Sequence, residues 1–297
     1  MVAAMATLCL GEALVDLICT TRASGLAEAD AFVAHFGGAT ANVCVNAVRH
    51  GGEAAIAGGA GDDPWGRWLK DELEREGIDT RAFTLSPDGA TTLAFVTVDS
   101  GGEPTYAFYG DALAAGVGRL GDSVEDAVRA ADALYFASSL LARADAREVT
   151  LRARELALAE GKPVWFDPNL RLAQWASEDD ALEAARGCIE GATVVKANGD
   201  EVRLLTGEDD PARGAEALVA AGAELAVVTL GAEGAIARGR ESHDVPGVPA
   251  EVRSTVGAGD AFMGVLLARL EPDGVLTAMK AATEAAAKVT ESWGAVA

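Results

Sequence analysis

Pro163-Val164-Trp165-Phe166-Asp167-Pro168-Asn169-Leu170-Arg171 begins as an unbroken apolar run and ends abruptly in polar and turn-forming residues. A run this short reads as a strand buried on both faces. The chain around it repeats the same grammar. Helical spacing over Ser123 to Ala133 precedes the apolar stretch Leu134 to Ala137, and Ala146 to Glu160 precedes Pro163 to Asp167. Glu178 to Glu190 precedes Thr193 to Asn198, and Pro211 to Ala221 precedes Leu225 to Leu230. Such alternation predicts an α/β fold with a mainly parallel central sheet and helices on both faces. Ligands of these sheets bind beyond the carboxyl ends of the strands. The residues there are Asp167 to Arg171, Asn198-Gly199-Asp200-Glu201 and Thr229-Leu230-Gly231, polar or glycine as a site requires.

Toward the N-terminus, Val2 to Leu10 reads as a strand, buried over Ala6 to Glu12. Asp16 then interrupts the apolar run Leu14 to Ile18. A buried carboxylate is costly unless bonded, so Asp16 must meet either local backbone or the hydroxyls of a ligand. Phe36-Gly37-Gly38-Ala39-Thr40-Ala41-Asn42 opens a helix whose apolar face is Val43, Ala47 and Val48. Its paired glycines let the backbone approach whatever lies in front, a ligand or a neighbouring strand. A strand over Ala54 to Gly59 leads into a helix from Arg67 to Glu76. Between Thr91 and Tyr109 the pattern changes to alternation around the turn Asp99-Ser100-Gly101-Gly102, which predicts a β-hairpin. Its aromatics fall on both faces, and an excursion of this kind is read as a lid over a ligand or a contact with a partner subunit.

Near the other end stands Thr255-Val256-Gly257-Ala258-Gly259-Asp260-Ala261-Phe262, followed by an apolar run of helical character. Gly257 to Asp260 would open that helix, where unpaired N–H groups and the helix dipole favour an anion. Asp260 has two readings: a plain helix cap, or a base that accepts the proton of a hydroxyl while a phosphoryl group is held nearby.

Composition narrows the classes. The chain has 297 residues, half of them hydrophobic, enough for a large core. A formal net charge of -22 argues against nucleic acid or an acidic membrane surface as partner, because the field repels polyanions. Cys9, Cys19, Cys44 and Cys188 show no C-x-x-C spacing and read as buried free thiols of a reducing compartment. With neither a basic leader nor a membrane-length apolar run evident, the expectation is a cytoplasmic protein. No G-x-x-x-x-G-K-[ST] occurs, Phe262 breaks the G-x-G-x-x-G spacing after Gly259, and no G-x-S-x-G elbow is present. P-loop, dinucleotide and α/β-hydrolase sites are therefore unsupported.

Phe36 to Asn42, Asp167 to Arg171, the N-x-x-E of Asn198 to Glu201, Thr229-Leu230-Gly231-Ala232-Glu233-Gly234 and Gly257-Ala258-Gly259-Asp260 together resemble the ribokinase-like (PfkB) carbohydrate kinases. The resemblance runs from about Leu10 to the C-terminus and is greatest toward fructokinases. The related 2-keto-3-deoxygluconate kinases share much of the pattern. It implies one ribokinase-like domain over 1–297, with a β-lid from about 12–36 and 90–112. It implies phosphoryl transfer from ATP to the primary hydroxyl of a sugar, fructose to fructose 6-phosphate foremost. A 2-keto-3-deoxygluconate, other sugar or nucleoside kinase, and a silent sugar sensor on the same fold, stay open.

Carried over residue by residue, Asp260 would be the base, and the N–H groups of Gly257, Ala258 and Gly259 the anion hole. Asp16, Gly37, Gly38 and Asn42 would hold the sugar; Asn169 and Arg171 would face the sugar or the transferred phosphate. Phe95, Tyr106 and Phe108 belong to the lid, as sugar contacts, as hairpin core or as dimer interface. Lys196, Asn198, Thr229, Gly231, Gly234 and Ala286 would border the nucleotide, with Asn198 and Glu201 organising Mg²⁺ through water. The lid implies a possible homodimer. Three departures stand out. Ser254 occupies the place of an aspartate associated with a monovalent-cation site, which puts potassium in doubt. Ala282 replaces a common asparagine, making adenine contacts by Ala282, Ala285 and Ala286 apolar. Gly110 follows Tyr109 where an arginine is frequent, which weakens the case for an acidic substrate.

Overall fold

The computed structural model describes residues 6–295. Residues 2–5 of the expected first strand lie outside that range. Among the described residues thirteen strands form two sheets. In chain order they are β1 (Ala6–Leu10), β2 (Leu14–Cys19), β3 (Phe32–Gly37), β4 (Glu53–Gly61), β5 (Phe83–Ser86), β6 (Leu93–Val98) and β7 (Pro104–Tyr109). Then follow β8 (Ala133–Ala137), β9 (Val164–Asp167), β10 (Val194–Asn198), β11 (Leu225–Thr229), β12 (Gly234–Gly239) and β13 (His243–Pro246).

The large sheet runs β13-β12-β11-β10-β9-β8-β1-β4-β5, parallel from β11 to β5, with β12 and β13 added antiparallel at one edge. Its inner strands bury both faces, which is why their sequences are mostly apolar. Leu134 and Phe136 point into one core with Val149, Ala153 and Leu218. Tyr135 and Trp165 point into the other, with Val43, Met263 and Met279. The helices Ala144–Ala159 and Pro211–Ala220 cover the first face; Ala39–Arg49, Ala258–Asp273 and Val275–Thr290 cover the second. The expected α/β architecture with helices on both faces is what the chain adopts.

Boundaries differ where local chemistry intervenes. The helix expected to reach Ala133 is Ser123–Ala130, because Ala131 is already extended and the Asp132 N–H donates to the Ala6 carbonyl. The helix expected to reach Glu190 ends at Arg186, just before Gly187.

Strand order reverses at β1. The chain goes from β1 through the small sheet to β4 on one side, and later returns to β8 on the other. A crevice therefore opens beyond the carboxyl ends of β1 and β8, the usual ligand position in such sheets.

The small sheet runs β3-β2-β6-β7. The hairpin β6–β7 forms as expected, with Val98 opposite Pro104 and Leu93 opposite Tyr109. Asp99 closes its turn by accepting from the N–H groups of Gly101 and Glu103. One face of this sheet (Leu14, Ile18, Ala94, Val96) packs against Val256 and Ala295. The hairpin turn also meets the glycine-rich loop: the Thr255 N–H donates to the Gly102 carbonyl at 3.3 Å. Among the described residues no helix is long and apolar enough to cross a membrane, and all four cysteines are free and buried.

Candidate active site

The helix Ala258–Asp273 starts at Gly257, whose φ of 76° is left-handed. A side chain there would meet Ala295 at 2.4 Å, so both conformation and space require glycine. Gly257 is the N-cap, and Asp260 sits in the first turn without capping it. Its Oδ2 instead accepts from Asn42 Nδ2 at 2.9 Å, across 218 residues of chain. Of the two readings of Asp260, the cap is excluded. Burial pushes the Asp260 carboxyl up, while the Asn42 amide and the charges of Lys196 and Arg171 pull it back down. The Gly257 N–H has no acceptor among the described residues, whereas that of Ala258 leans on the Thr255 carbonyl at 3.3 Å.

Asp16, 5% exposed, projects from β2 into the same recess. Burial, then the nearby Asp260 and Glu12 carboxylates, push its carboxyl up to about 7. Gly37 is dictated by this carboxylate: an added Cβ would lie 2.1 Å from Asp16 Oδ2. Gly38, at φ 101°, lies against the Glu12 carbonyl and Ala13.

The ends of β9 and β10 supply the next wall. Lys196 Nζ meets Asp167 Oδ2 at 2.9 Å, both side chains buried. Burial alone would lower the Lys196 ammonium, but Asp167, Glu201 and Asp260 outweigh it and raise it. Lys196 Nζ also stands 3.3 Å from where a Cβ on Gly259 would be, so it closes on the glycine loop. Asn169 takes a positive φ of 36°, and its N–H donates to Asp167 Oδ1. Arg171 is exposed at the mouth, and its charge acts on Asp260, Glu12 and Tyr106.

Asn198 and Glu201 form a capping box on the helix Gly199–Thr206. Glu201 Oε1 also accepts from the Leu170 N–H at 2.7 Å, tying the two strand ends together. Among the described residues no group of three or more His, Cys, Asp or Glu is set to hold a metal directly. With Glu201 oxygens occupied by backbone N–H groups and Asp167 by Lys196, the donor set fits an ion that keeps its own waters, as Mg²⁺ does. Thr229 stands opposite Asn198 in register, and Gly231 is exposed beyond it.

Several expected residues lie elsewhere. The register puts Asp16 opposite Ala94 and Ala94 opposite Phe108, so Phe108 and its stacked neighbour Tyr106 share the Asp16 face. Phe95 pairs with Leu17 and Ala107 and lies on the reverse face, packed edge-on between Phe32 and Tyr109. It does not face the recess, because strand side chains alternate sides. Gly234 is buried, and a Cβ there would strike the Val245 carbonyl at 2.1 Å, so its glycine serves the β12–β13 edge. Ala282 is fully buried in the core; Ala285 and Ala286 are half-buried. Glu12 and Asp167 carried no role in the sequence reading, yet both stand within this constellation. Their only signal was a carboxylate at the carboxyl end of a buried strand.

The described architecture has known counterparts. The family model of the pfkB family carbohydrate kinases matches residues 6–297. Fructokinase-1 of Zea mays is 35% identical over 268 residues, covering 89% of this chain and 82% of that protein. A PfkB protein from Polaromonas sp. JS666 superposes with a TM-score of 0.85 at 30% identity, covering 98% of this chain and 97% of the other. A fructokinase double mutant from Vibrio cholerae O395, solved with fructose, ADP and potassium ion, gives a TM-score of 0.82 at 29% identity, covering 98% and 94%.

Proposed function

The chain belongs to the pfkB family of carbohydrate kinases and is an ATP-dependent sugar kinase, and on that premise we propose that it phosphorylates the primary hydroxyl of fructose. The observation that carries the reading is the Asp260 carboxylate, fixed by Asn42 beside a left-handed glycine at a helix N-terminus. Asp260 takes the hydroxyl proton as the oxygen attacks the γ-phosphorus in line with the departing ADP oxygen. The helix N-terminus at Gly257 and Gly259 meets the charge that develops on the phosphoryl group, with Lys196 behind it. Asn42 Oδ1, buried and without a partner among the described residues, is an acceptor fitted to a second sugar hydroxyl. Tyr106 and Phe108 overhang the recess from the small sheet, which acts as the lid that keeps water from the phosphoryl group. Asn198 and Glu201 would hold Mg²⁺ through water, and the ion would neutralise phosphate charge.

Wild-type enzyme assayed for ADP release on a panel of sugars is expected to turn over fructose fastest, and preference for 2-keto-3-deoxygluconate or a nucleoside would sink the fructose assignment. The same panel tests the loop cation. Ser254 is buried, its Oγ accepts from the Val256 N–H, and the Thr290 carbonyl takes the N–H groups of both Arg253 and Ser254. These contacts brace the loop without an aspartate, so replacing potassium by tetramethylammonium is expected to leave kcat unchanged.

Asp16 makes sugar affinity depend on pH. A carboxyl raised from 3.8 to about 7 keeps its proton in the folded state while the unfolded state has lost it. Stability of the free enzyme therefore falls as pH rises from 3.8 to about 7, by about 4 kcal/mol in total. Sugar hydroxyls donate to the ionised form, so KM for the sugar is expected to fall as pH rises through that upper value. Asp16→Asn should flatten the KM profile, raise Tm at alkaline pH and weaken sugar binding. A KM profile identical in Asp16→Asn and wild type would remove Asp16 from the sugar site.

A further inference from the structure

The helix Ala39–Arg49 carries Asn42, yet its own N-cap, Gly38, offers no side chain to the first turn. That turn is closed from another element. Glu12, at the end of β1 and 7% exposed, accepts from the Ala39 N–H through Oε1 at 3.1 Å. Its Oε2 lies 3.5 Å from the Thr40 hydroxyl, and its main-chain carbonyl accepts from the Ala41 N–H at 3.2 Å. Gly11 makes the approach possible, since a Cβ there would fall 1.9 Å from Thr40 Oγ1. A carboxylate at a helix N-terminus satisfies orphan donors and complements the dipole. Three residues on, the same helix presents Asn42 to Asp260.

We propose that Glu12 is a positioning residue, capping the helix Ala39–Arg49 from the switch point of the sheet and so holding the Asn42 amide on the Asp260 carboxylate. The placement explains why a carboxylate is tolerated so close to two others, Asp16 and Asp260. Its neighbours are Asp260 on the far helix, Asp16 on β2, Tyr135 on β8 and Arg171 beyond β9, of which only Arg171 is cationic. Glu12 therefore acts by fixing geometry and does not touch the reacting atoms.

The proposal rests on the kinase reading but can fail separately from it. Glu12→Ala is expected to lower kcat by about 10- to 100-fold, the scale of a small misplacement of a reacting group. KM for ATP should be unchanged. Glu12→Gln, which keeps an acceptor for the Ala39 N–H, should recover most of the loss. In an Asn42→Ala background, Glu12→Ala should add little, because both changes act through one contact. Independently of turnover, hydrogen exchange of free enzyme should show lost protection over 39–46 in Glu12→Ala and retained protection in Glu12→Gln. Should Glu12→Ala not fold, Glu12→Asp, one methylene shorter, replaces it with the same expectations. A full additional loss in the Asn42→Ala background, or a Glu12→Gln as impaired as Glu12→Ala, overturns the proposal. So does unaltered protection over 39–46. Wild type inert on every sugar would end the kinase reading alone.

Discussion

Asp260→Asn is expected to lower kcat by about 10²- to 10⁴-fold, the usual worth of a positioned base. Asparagine has nearly the same shape and can still accept the Asn42 hydrogen bond, so the change removes proton affinity and little else. The fold should survive. Burial and the Asp167 carboxylate both disfavour charge at this position, so Tm should hold or rise. KM for sugar and for ATP should move little, since a contact made only as the proton leaves is absent from the ground state. Steady-state ADP release, with circular dichroism as the control for folding, gives the answer. A kcat within tenfold of wild type would mean that the proton leaves by another route.

The second large effect is on stability. Lys196 and Asp167 form an ion pair buried on both sides. Lys196→Met leaves the Asp167 carboxylate without its cation, and breaking such a pair from one side costs about 3–5 kcal/mol. Urea titration followed by tryptophan fluorescence would measure it, Trp165 being fully buried on the same strand as Asp167. The double variant Lys196→Met/Asp167→Asn should recover most of the loss, because the orphaned charge is then gone. Activity should not recover with it, since Lys196 Nζ closes on Gly259 and restrains the Asp260 carboxyl. A loss below about 1 kcal/mol in the single variant would class the pair with ordinary surface contacts.

The central sheet was legible because burial on both faces keeps its inner strands mostly apolar, with polar residues gathered toward their carboxyl ends: Leu134 to Ala137 and Leu225 to Val228 could be little else. The edge was not. Gly234–Gly239 and His243–Pro246 are built largely of small and polar residues around a turn, and only the pairing of the first with β11 and of the second with the first makes them strands. Motif residues such as Asp260, Asn42 and Asp16 were readable because each breaks a local rule, a carboxylate or amide where packing prefers an apolar group. The choice between sugar contact and hairpin core for Phe95 was not legible because hairpin parity is set by register, and one residue of register moves a side chain to the other face. The burial of Ala282 was unreadable for a related reason: neighbouring alanines on a helix look alike in sequence, and only packing separates the buried from the half-exposed. Glu12 went unassigned because its partners, Ala39 and Thr40, matter as backbone N–H and hydroxyl, which no motif records.

The contact between Asn42 and Asp260 joins residues 218 positions apart. One partner belongs to the helix Ala39–Arg49 and the other to the helix Ala258–Asp273. Between them every strand of the large sheet except β1 must be laid down, and the helix bearing Asp260 packs against both Asn42's helix and the helix Val275–Thr290. A nascent chain, however much of its sheet has formed, therefore has half a reactive centre. ATP around a polysome meets no competent enzyme until the helix Ala258–Asp273 has also left the ribosome.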